Sequence, residues 1–174
     1  MLGGDPVILV SVGSMLPFDR LVKAADDWAA ANPSEPVFIQ IGDGVYEPKH
    51  APWVRIMPQG EYRQRLEDCD LFVAHVGMGS ILQGLEARRQ MLLLPRRADW
   101  REHTTDHQLH TAARFRETPG LMIVDDVAEL QAQMSRLLKA PMKVSAGIPR
   151  VAASEFTDRI AGFLAGRKPL PANG

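Results

Sequence analysis

Residues 71–86 read LFVAHVGMGSILQGLE, an apolar run that passes through two glycines into helical spacing. Consecutive apolar residues such as LFVA are typical of a strand that is buried on both faces of a parallel sheet. Gly77 and Gly79 permit a tight turn into the following helix. The first amides of a helix, at the positive end of its dipole, suit a phosphate group. The stretch therefore predicts a strand–turn–helix unit with an anion site at its turn.

The same alternation of compact apolar runs and helical spacing recurs along the chain. Strands are predicted at 7–12, 37–41, 54–57, 71–74, 91–94 and 121–124, and helices at 17–31, 61–67, 80–89, 105–117 and 127–138. Strands that alternate with helices pair in parallel through right-handed crossovers. The chain is therefore predicted to have an α/β fold with one Rossmann-like, doubly wound parallel sheet of about six strands.

This predicted domain occupies residues 1–138. A connector and a terminal helix from about residue 150 follow within 139–165, where they would pack on the domain or on a partner. The polar, proline-containing tail at 166–174 is expected to be disordered.

The composition of the 174-residue, 19.2-kDa chain is that of an ordinary globular protein. A net charge of -1 gives no basic excess for binding nucleic acid. The single cysteine, Cys69, permits neither an internal disulfide nor a cysteine metal cluster, as is usual in a reducing cytosol. No apolar run approaches the roughly 20 residues that span a bilayer, and residues 7–12 are predicted to be a strand rather than a signal peptide. A cytoplasmic protein is expected.

Polar and glycine residues follow the predicted strands where each strand ends. Gly13 and Ser14 follow the first strand, Gln59 lies just beyond the third, residues 75–80 follow the fourth, and residues 96–108 follow the fifth. Ligands of open α/β sheets bind beyond these carboxyl ends, so the segments should converge at one site. The glycine spacing matches neither a Walker motif nor the dinucleotide fingerprint. A nucleoside diphosphate held by turn amides beside a histidine is compatible with the pattern.

Three segments in this order and spacing resemble one family. The segments HVGMGSILQGLE at 75–86, PRRADWREHTTDHQ at 95–108 and VSVGSMLPFDRLV at 10–22 are similar to the C-terminal, nucleotide-sugar-binding half of two-Rossmann-domain (GT-B) glycosyltransferases of the family 28 type. The likeness is closest to small subunits of split enzymes, namely bacterial exopolysaccharide glucuronosyltransferases and the eukaryotic dolichol-linked N-acetylglucosaminyltransferase. MurG is a more distant relative. The resemblance covers about residues 7–138.

The resemblance implies which residues bind the pyrophosphate of the sugar nucleotide. His75, Gly77, Gly79 and Ser80 fall on the family turn H-x-G-x-G-[ST], which also contains Met78. In the family, the amides and the hydroxyl of this turn hold the pyrophosphate. At the start of a helix, these groups would stabilise negative charge on the departing UDP.

Gln83 departs from the family pattern. At this position, three residues into the helix, the family has a glutamate that accepts both ribose hydroxyls, and a glutamine loses that charge-assisted bond. Glu86 lies one turn later but does not match the motif, and Val76 replaces a usual glycine. Residues 57–59, which include Gln59, match a segment of the family. In the family, the main chain of that segment forms hydrogen bonds to the edge of the uracil base.

Asp106, His107 and Gln108 match the D/N-H-Q element of the family, which faces the sugar of the sugar nucleotide. Asp106 and Gln108 would hold sugar hydroxyls. The alternative is a polar helix start with Thr104 or Thr105 as the N-cap residue and Asp106 in the first turn.

Arg96 and Arg97 follow the fifth predicted strand. If the sugar nucleotide is UDP-glucuronate, a guanidinium here could pair bidentately with its carboxylate. The alternative is a solvated pair of charges beside Asp99 and Glu102.

The resemblance also implies a reaction and its partners. It implies an inverting transferase that uses UDP-glucuronate or UDP-N-acetylglucosamine, without a metal or other cofactor, in exopolysaccharide synthesis. The base for the acceptor would lie on a second Rossmann domain, supplied by a membrane-associated partner subunit that binds a lipid-linked saccharide. The chain would then be peripheral at the inner face of the membrane. Two alternatives remain: a noncatalytic or regulatory nucleotide-binding module weakened by Gln83, and a sugar-nucleotide epimerase, which is disfavoured because such enzymes carry both domains in one chain.

Overall fold

The computed structural model describes residues 8–144 of the chain. The strands are β1 (Ile8–Ser11), β2 (Val37–Gln40), β3 (Trp53–Val54), β4 (Leu71–His75), β5 (Gln90–Leu94) and β6 (Leu121–Ile123). The helices are α1 (Asp19–Ala31), α2 (Gln59–Asp68), α3 (Met78–Glu86), α4 (His107–Phe115) and α5 (Val127–Lys139). Each predicted strand and helix within this range is present.

All strand pairs are parallel, and the strand order is β3-β2-β1-β4-β5-β6. The chain builds the sheet outward from β1 in one direction and from β4 in the other, so the order reverses between these two central strands. The structure therefore confirms the predicted α/β fold with a single doubly wound, Rossmann-like sheet. In such sheets the crevice beyond the reversal point is the usual ligand site.

Two hydrophobic cores cover the sheet because successive residues of a strand point to opposite faces. Ile8 and Val10 of β1 pack with residues of α1 and α5 on one face. Leu9, between them, packs with residues of α2, α3 and α4 on the other face. Apart from His75, the central strands β1, β4 and β5 are buried along their whole length. This double-sided burial explains why these segments are uninterrupted apolar runs in the sequence.

Some element bounds differ from prediction where other contacts replace the regular backbone pattern. β3 stops before Met57, whose N–H donates to the side-chain Oε1 of Gln40 at 3.0 Å instead of to a strand. α3 ends at Glu86, and Arg88 then takes a left-handed φ of 55°. α4 begins at His107, two residues later than predicted. These shifts move no predicted site residue to the other end of the sheet.

Parts of the predicted organisation lie outside the described residues: the start of the first strand at residue 7, the helix from about residue 150 and the tail at 166–174. The described beginning of the connector packs at the amino edge of the sheet, where Met142 N–H donates to Gln90 Oε1 at 3.0 Å. Between residues 8 and 144, no helix is both long and apolar enough to cross a bilayer.

Candidate functional site

The sheet topology places the end of β1 beside the end of β4. Ser11 pairs in register with Ala74, so the segments that follow these strands leave the sheet side by side. Gly13 has a φ of 77°, which residues with a Cβ rarely adopt, and a Cβ there would lie 2.8 Å from His75 Nε2. Ser14 is exposed next to it. The first-strand loop and the predicted phosphate turn therefore meet at one point.

α3 begins at this point with unpaired backbone amides. Gly77 is its N-cap residue and offers no side-chain cap, and the first backbone bond runs from Ile81 N–H to Gly77 O. The amides of Met78, Gly79 and Ser80 consequently have no acceptor within residues 8–144. Beside Gly79 the space is open, since a Cβ there would meet no atom within 4 Å. Three such amides at the positive end of a helix dipole can bind an anion.

His75 is the centre of a hydrogen-bond network at the turn. Its Nε2 lies 3.0 Å from Ser80 Oγ, and its Nδ1 lies 3.2 Å from Arg96 Nη1 and 3.1 Å from Gln108 Nε2. The network joins the ends of β4 and β5 to the starts of α3 and α4. Burial first, then the charge of Arg96 and the nearby His103, lower the pKa of His75 to about 3. The imidazole is therefore neutral at physiological pH.

Arg96 is a buried cation, with 3% of its surface exposed. Its Nη2 donates to the carbonyl oxygens of Val12, at 2.8 Å, and of Leu16. Burial lowers the pKa of the guanidinium to about 10, so it stays charged at neutral pH. The alternative that Arg96 is a solvated charge is therefore wrong, although its neighbour Arg97 does pair with Asp99 at the surface. Since both terminal nitrogens of Arg96 already donate within the protein, a bidentate pair with a sugar carboxylate would require this network to break.

The residues of the D/N-H-Q element have different surroundings. Gln108 is buried, and its Oε1 accepts Arg96 N–H at 3.0 Å. Asp106 is the N-cap residue of α4 but caps no amide with its side chain; its Oδ1 accepts Ala98 N–H at 3.1 Å. His107 is exposed in the first turn of α4. The predicted alternative, a threonine cap one or two residues earlier, is therefore wrong, and sugar binding by this element stays a prediction.

A cleft of about 430 Å³ opens between α2 and α3. Gln59 at the start of α2 lines it, together with Gln83 and Glu86 of α3. Gln83 lies about one turn after Ser80 in α3, and this residue links the cleft to the predicted phosphate turn. The two residues predicted to meet uridine thus share one cleft. A larger cavity of about 610 Å³ lies at the opposite, amino edge of the sheet around Gln90, and none of the predicted site residues lines it.

Known structures match this fold, although no family model matches the sequence and no curated protein matches it significantly. The glycotransferase of kitacinnamycin has a TM-score of 0.58 at 25% identity, over 80% of this chain and 36% of that chain. ALG13 has a TM-score of 0.56 at 14% identity, over 90% of this chain and 94% of that chain. The UDP-GlcNAc 2-epimerase of Neisseria meningitidis, in a structure with UDP-GlcNAc bound, has a TM-score of 0.61 at 11% identity, over 94% of this chain and 45% of that chain.

The chain has the fold of a GT-B C-terminal domain. It spans only 36% of the kitacinnamycin enzyme and 45% of the epimerase, but nearly the whole of ALG13. Activity, substrate and partner are therefore matters for proposal.

Sequence reasoning missed three polar residues that join the segments around the candidate site: Gln40, Arg20 and Glu102. Gln40 is a single buried polar residue at the end of β2; it binds Met57 N–H and donates to Gly13 O at 3.4 Å. Its position in an otherwise apolar strand is a signal that could have been used. Arg20 of α1 donates to both carboxylate oxygens of Glu102, at 2.7 and 2.8 Å. Glu102 lies in the segment after β5, so this ion pair connects that segment to α1. No local pattern reveals that pair, because its members are 82 residues apart.

Metal and thiol chemistry have no evident site in the part of the chain that the structure describes. No group of three or more His, Cys, Asp or Glu side chains there could hold a metal ion. Cys69 is buried, its thiol donates to Leu66 O at 3.3 Å, and burial raises its pKa to about 12, so the thiol is unreactive. The groups at the candidate site that could bind an anion are the unpaired amides of α3, the Ser80 hydroxyl and the nearby buried guanidinium of Arg96.

Proposed function

We propose that the chain is the sugar-nucleotide-binding, catalytic subunit of an inverting UDP-sugar glycosyltransferase. The observation that carries the proposal is the start of α3, where three unpaired amides and the Ser80 hydroxyl lie about one helical turn from Gln83, which lines the cleft together with Gln59. Diphosphate at the amides and uridine in the cleft would use both features with one extended ligand. The UDP-GlcNAc in the structure of the epimerase, which has this fold, supports that choice.

In the proposed reaction the chain stabilises the leaving group. Transfer breaks the bond between the sugar C1 and the diphosphate oxygen, and negative charge grows on the departing UDP. The amides and dipole of α3 would stabilise this charge without any proton transfer. Inversion also needs a base for the acceptor hydroxyl. Both ring nitrogens of His75 are engaged within the chain, so we assign the base to a partner subunit.

The carboxyl edge of the sheet offers a surface for that partner. The large apolar side chains that are exposed among residues 8–144 all lie on loops or early helix turns at this edge: Met15, Val45, Ile56, Met78, Leu82, Trp100 and Leu109. Exposed apolar groups around a ligand site are typical of an interaction surface. The proposed partner is a membrane-associated second Rossmann domain that binds a lipid-linked saccharide in exopolysaccharide synthesis. It would hold the chain at the inner face of the membrane.

The proposed sugar nucleotide is UDP-glucuronate or UDP-N-acetylglucosamine. Because Arg96 already donates to protein acceptors, a glucuronate carboxylate would need another cation. Arg97, at the surface of the same segment, is the candidate. An Arg97→Met variant that loses affinity for UDP-glucuronate but not for UDP would identify it.

Calorimetric titration of the purified chain with UDP and the two UDP-sugars tests the proposal. Ser80→Ala should weaken binding about tenfold, because it removes a hydrogen bond to a charged group. Gln83→Glu should tighten binding about fivefold, because a carboxylate makes a charge-assisted bond to ribose. Gln133→Glu adds the same charge on α5, outside the cleft, and should leave the affinity unchanged.

Failure of all three nucleotides to bind, even to Gln83→Glu and with a candidate partner subunit added, would contradict the proposal. The second candidate function is a noncatalytic or regulatory nucleotide-binding module, which the neutral Gln83 in the cleft favours. That module would bind UDP, but it would form no UDP from a UDP-sugar when the partner and a lipid-linked acceptor are supplied, because no sugar would be transferred. The transferase would release UDP under the same conditions.

A further inference from the structure

The hydrogen bonds around His75 have a fixed direction. Arg96 N–H donates to Gln108 Oε1 at 3.0 Å, which orients the Gln108 amide so that its Nε2 faces His75 Nδ1, 3.1 Å away. Arg96 Nη1 approaches the same ring atom at 3.2 Å. Both groups can only donate, so Nδ1 accepts and carries no proton. A neutral imidazole of this kind has its proton on Nε2.

Ser80 accepts the hydrogen bond of that proton. His75 Nε2–H donates to Ser80 Oγ at 3.0 Å, so the hydroxyl keeps its own hydrogen free for another acceptor. A hydroxyl that accepts a hydrogen bond becomes a better donor, because bonds in a chain polarise one another. Gly77 is required beside the ring, since a Cβ on Gly77 would overlap it. The free hydrogen belongs to a residue in the first turn of α3, where the amides are unpaired.

Arg96 lies at the other end of this chain of bonds and has no counter-ion in direct contact. In the described part of the protein no carboxylate forms an ion pair with Arg96, and its buried Nε has no acceptor. The carboxylate of Glu102 is bound to Arg20 instead, and its charge offsets only part of the effect of burial on the pKa of Arg96. A buried charge without a direct counter-ion is costly. A ligand anion at the start of α3 would compensate it.

We infer that Arg96 is a positioning residue that acts on a bound diphosphate through His75 and Ser80. Arg96 orients and polarises the imidazole, the imidazole polarises the Ser80 hydroxyl, and the hydroxyl donates to a phosphate oxygen. No proton is transferred, because charge shifts only along the hydrogen bonds. The inference rests on the proposed function, since it requires a diphosphate at the start of α3.

A double-mutant cycle on UDP affinity measures this coupling. Wild type, Ser80→Ala, Arg96→Met and the double variant of the full chain are titrated with UDP by calorimetry. Arg96→Met should weaken binding about tenfold in wild type but less than about twofold in the Ser80→Ala background, because the bonds reach the ligand through the hydroxyl. The control Arg116→Met removes an exposed arginine that pairs with Asp125 and does not line the cleft, and it should leave UDP affinity unchanged in both backgrounds. An equal loss from Arg96→Met in both backgrounds would overturn the inference.

A second measurement needs no variant and does not depend on UDP. Long-range ¹H–¹⁵N spectra of wild type at neutral pH should show His75 with a protonated Nε2 and an unprotonated Nδ1. A protonated Nδ1 would refute the inference, even if Arg96→Met fails to fold. If wild type shows the expected tautomer but no nucleotide binds, even to Gln83→Glu and with a candidate partner subunit added, the proposed function is refuted instead, and the ligand on which the inference rests is removed. The two failures are therefore distinguishable.

Discussion

His75 is a histidine that the fold keeps neutral. Burial, then Arg96 and His103, lower its pKa from 6.5 to about 3, and the other groups that face the ring, Ser80 and Gln108, are uncharged. In the unfolded chain, the same histidine takes up a proton near pH 6.5. Its contribution to the free energy of unfolding is therefore complete above pH 6.5 and is lost as the pH falls from 6.5 towards 3.

The titration of His75 alone should lower the free energy of unfolding by up to about 2 kcal/mol when the pH is lowered from about 7.5 to about 5. Urea unfolding of wild type and of His75→Gln at several pH values isolates the contribution of His75. All other titrating groups are the same in the two proteins, so they cancel in the difference between the two free energies of unfolding. The stability advantage of wild type should shrink by that amount. An advantage that does not change with pH over this range would show that His75 titrates normally in the folded protein.

Gly77 and Gly79 differ in what an added methyl group would meet. A Cβ on Gly77 would overlap the His75 ring, whereas a Cβ on Gly79 would enter open space. Gly79→Ala should raise the free energy of unfolding by up to about 1 kcal/mol, because alanine favours the helix. It should also weaken UDP binding about tenfold by filling the space proposed for phosphate.

The matched variant Gly77→Ala should lower stability, since the imidazole ring must move. Urea unfolding and UDP titration of both variants check these expectations. If Gly79→Ala bound UDP as tightly as wild type does, the phosphate would have to lie elsewhere.

At the scale of elements, Asp26 of α1 holds the loop between β2 and β3. Its fully buried carboxylate accepts hydrogen bonds from the amides of Lys49 (2.8 Å), His50 (2.8 Å) and Ala51 (3.0 Å) and from the Tyr46 hydroxyl (2.8 Å). Burial raises the pKa of this carboxyl, but the four hydrogen bonds outweigh burial and lower it overall. The stability that the ionised group contributes is present above its unfolded pKa, near 4, and is lost as the pH falls through the lower folded value.

Asp26→Ala should reduce the free energy of unfolding by about 3 kcal/mol or more, because it leaves several buried donors unpaired. Asp27→Ala is the matched control: that neighbouring carboxylate forms only an exposed pair with Lys23, and its removal should cost about 0.5 kcal/mol or less. Chemical unfolding at neutral pH measures both. Equal losses from the two variants would mean that the Asp26 bonds do not stabilise the loop.

At the scale of the whole molecule, protection of the sheet should decrease from its centre to its edges. β1 and β4 are the central strands and are almost entirely buried, whereas β3 and β6 are short edge strands with partly exposed residues. In hydrogen exchange followed by NMR, the amides of Leu9 and Phe72 should exchange at least about tenfold more slowly than that of Met122. Protection of β6 equal to that of β4 would show that this edge is covered in solution.

The fold and the position of the site could be predicted from local patterns. Uninterrupted apolar runs fixed which segments are central strands, because both faces of a central parallel strand are buried. The segment HVGMGS marked the strand-to-helix turn, because glycine and a helix start are local properties. The alternation of strands and helices then placed every candidate residue at one edge of the sheet.

The partners within the site were decided by tertiary structure alone. Burial of Arg96, its contact with His75 and the orientation of Gln108 depend on segments after β1, β4 and β5 that meet only when the sheet forms. The sequence therefore determined the strand–turn–helix unit and predicted an anion site at the start of α3. Only the tertiary structure decided that a buried cation without a direct ion pair, Arg96, stands behind this helix start, because the exposure and partners of a side chain depend on residues that are distant along the chain.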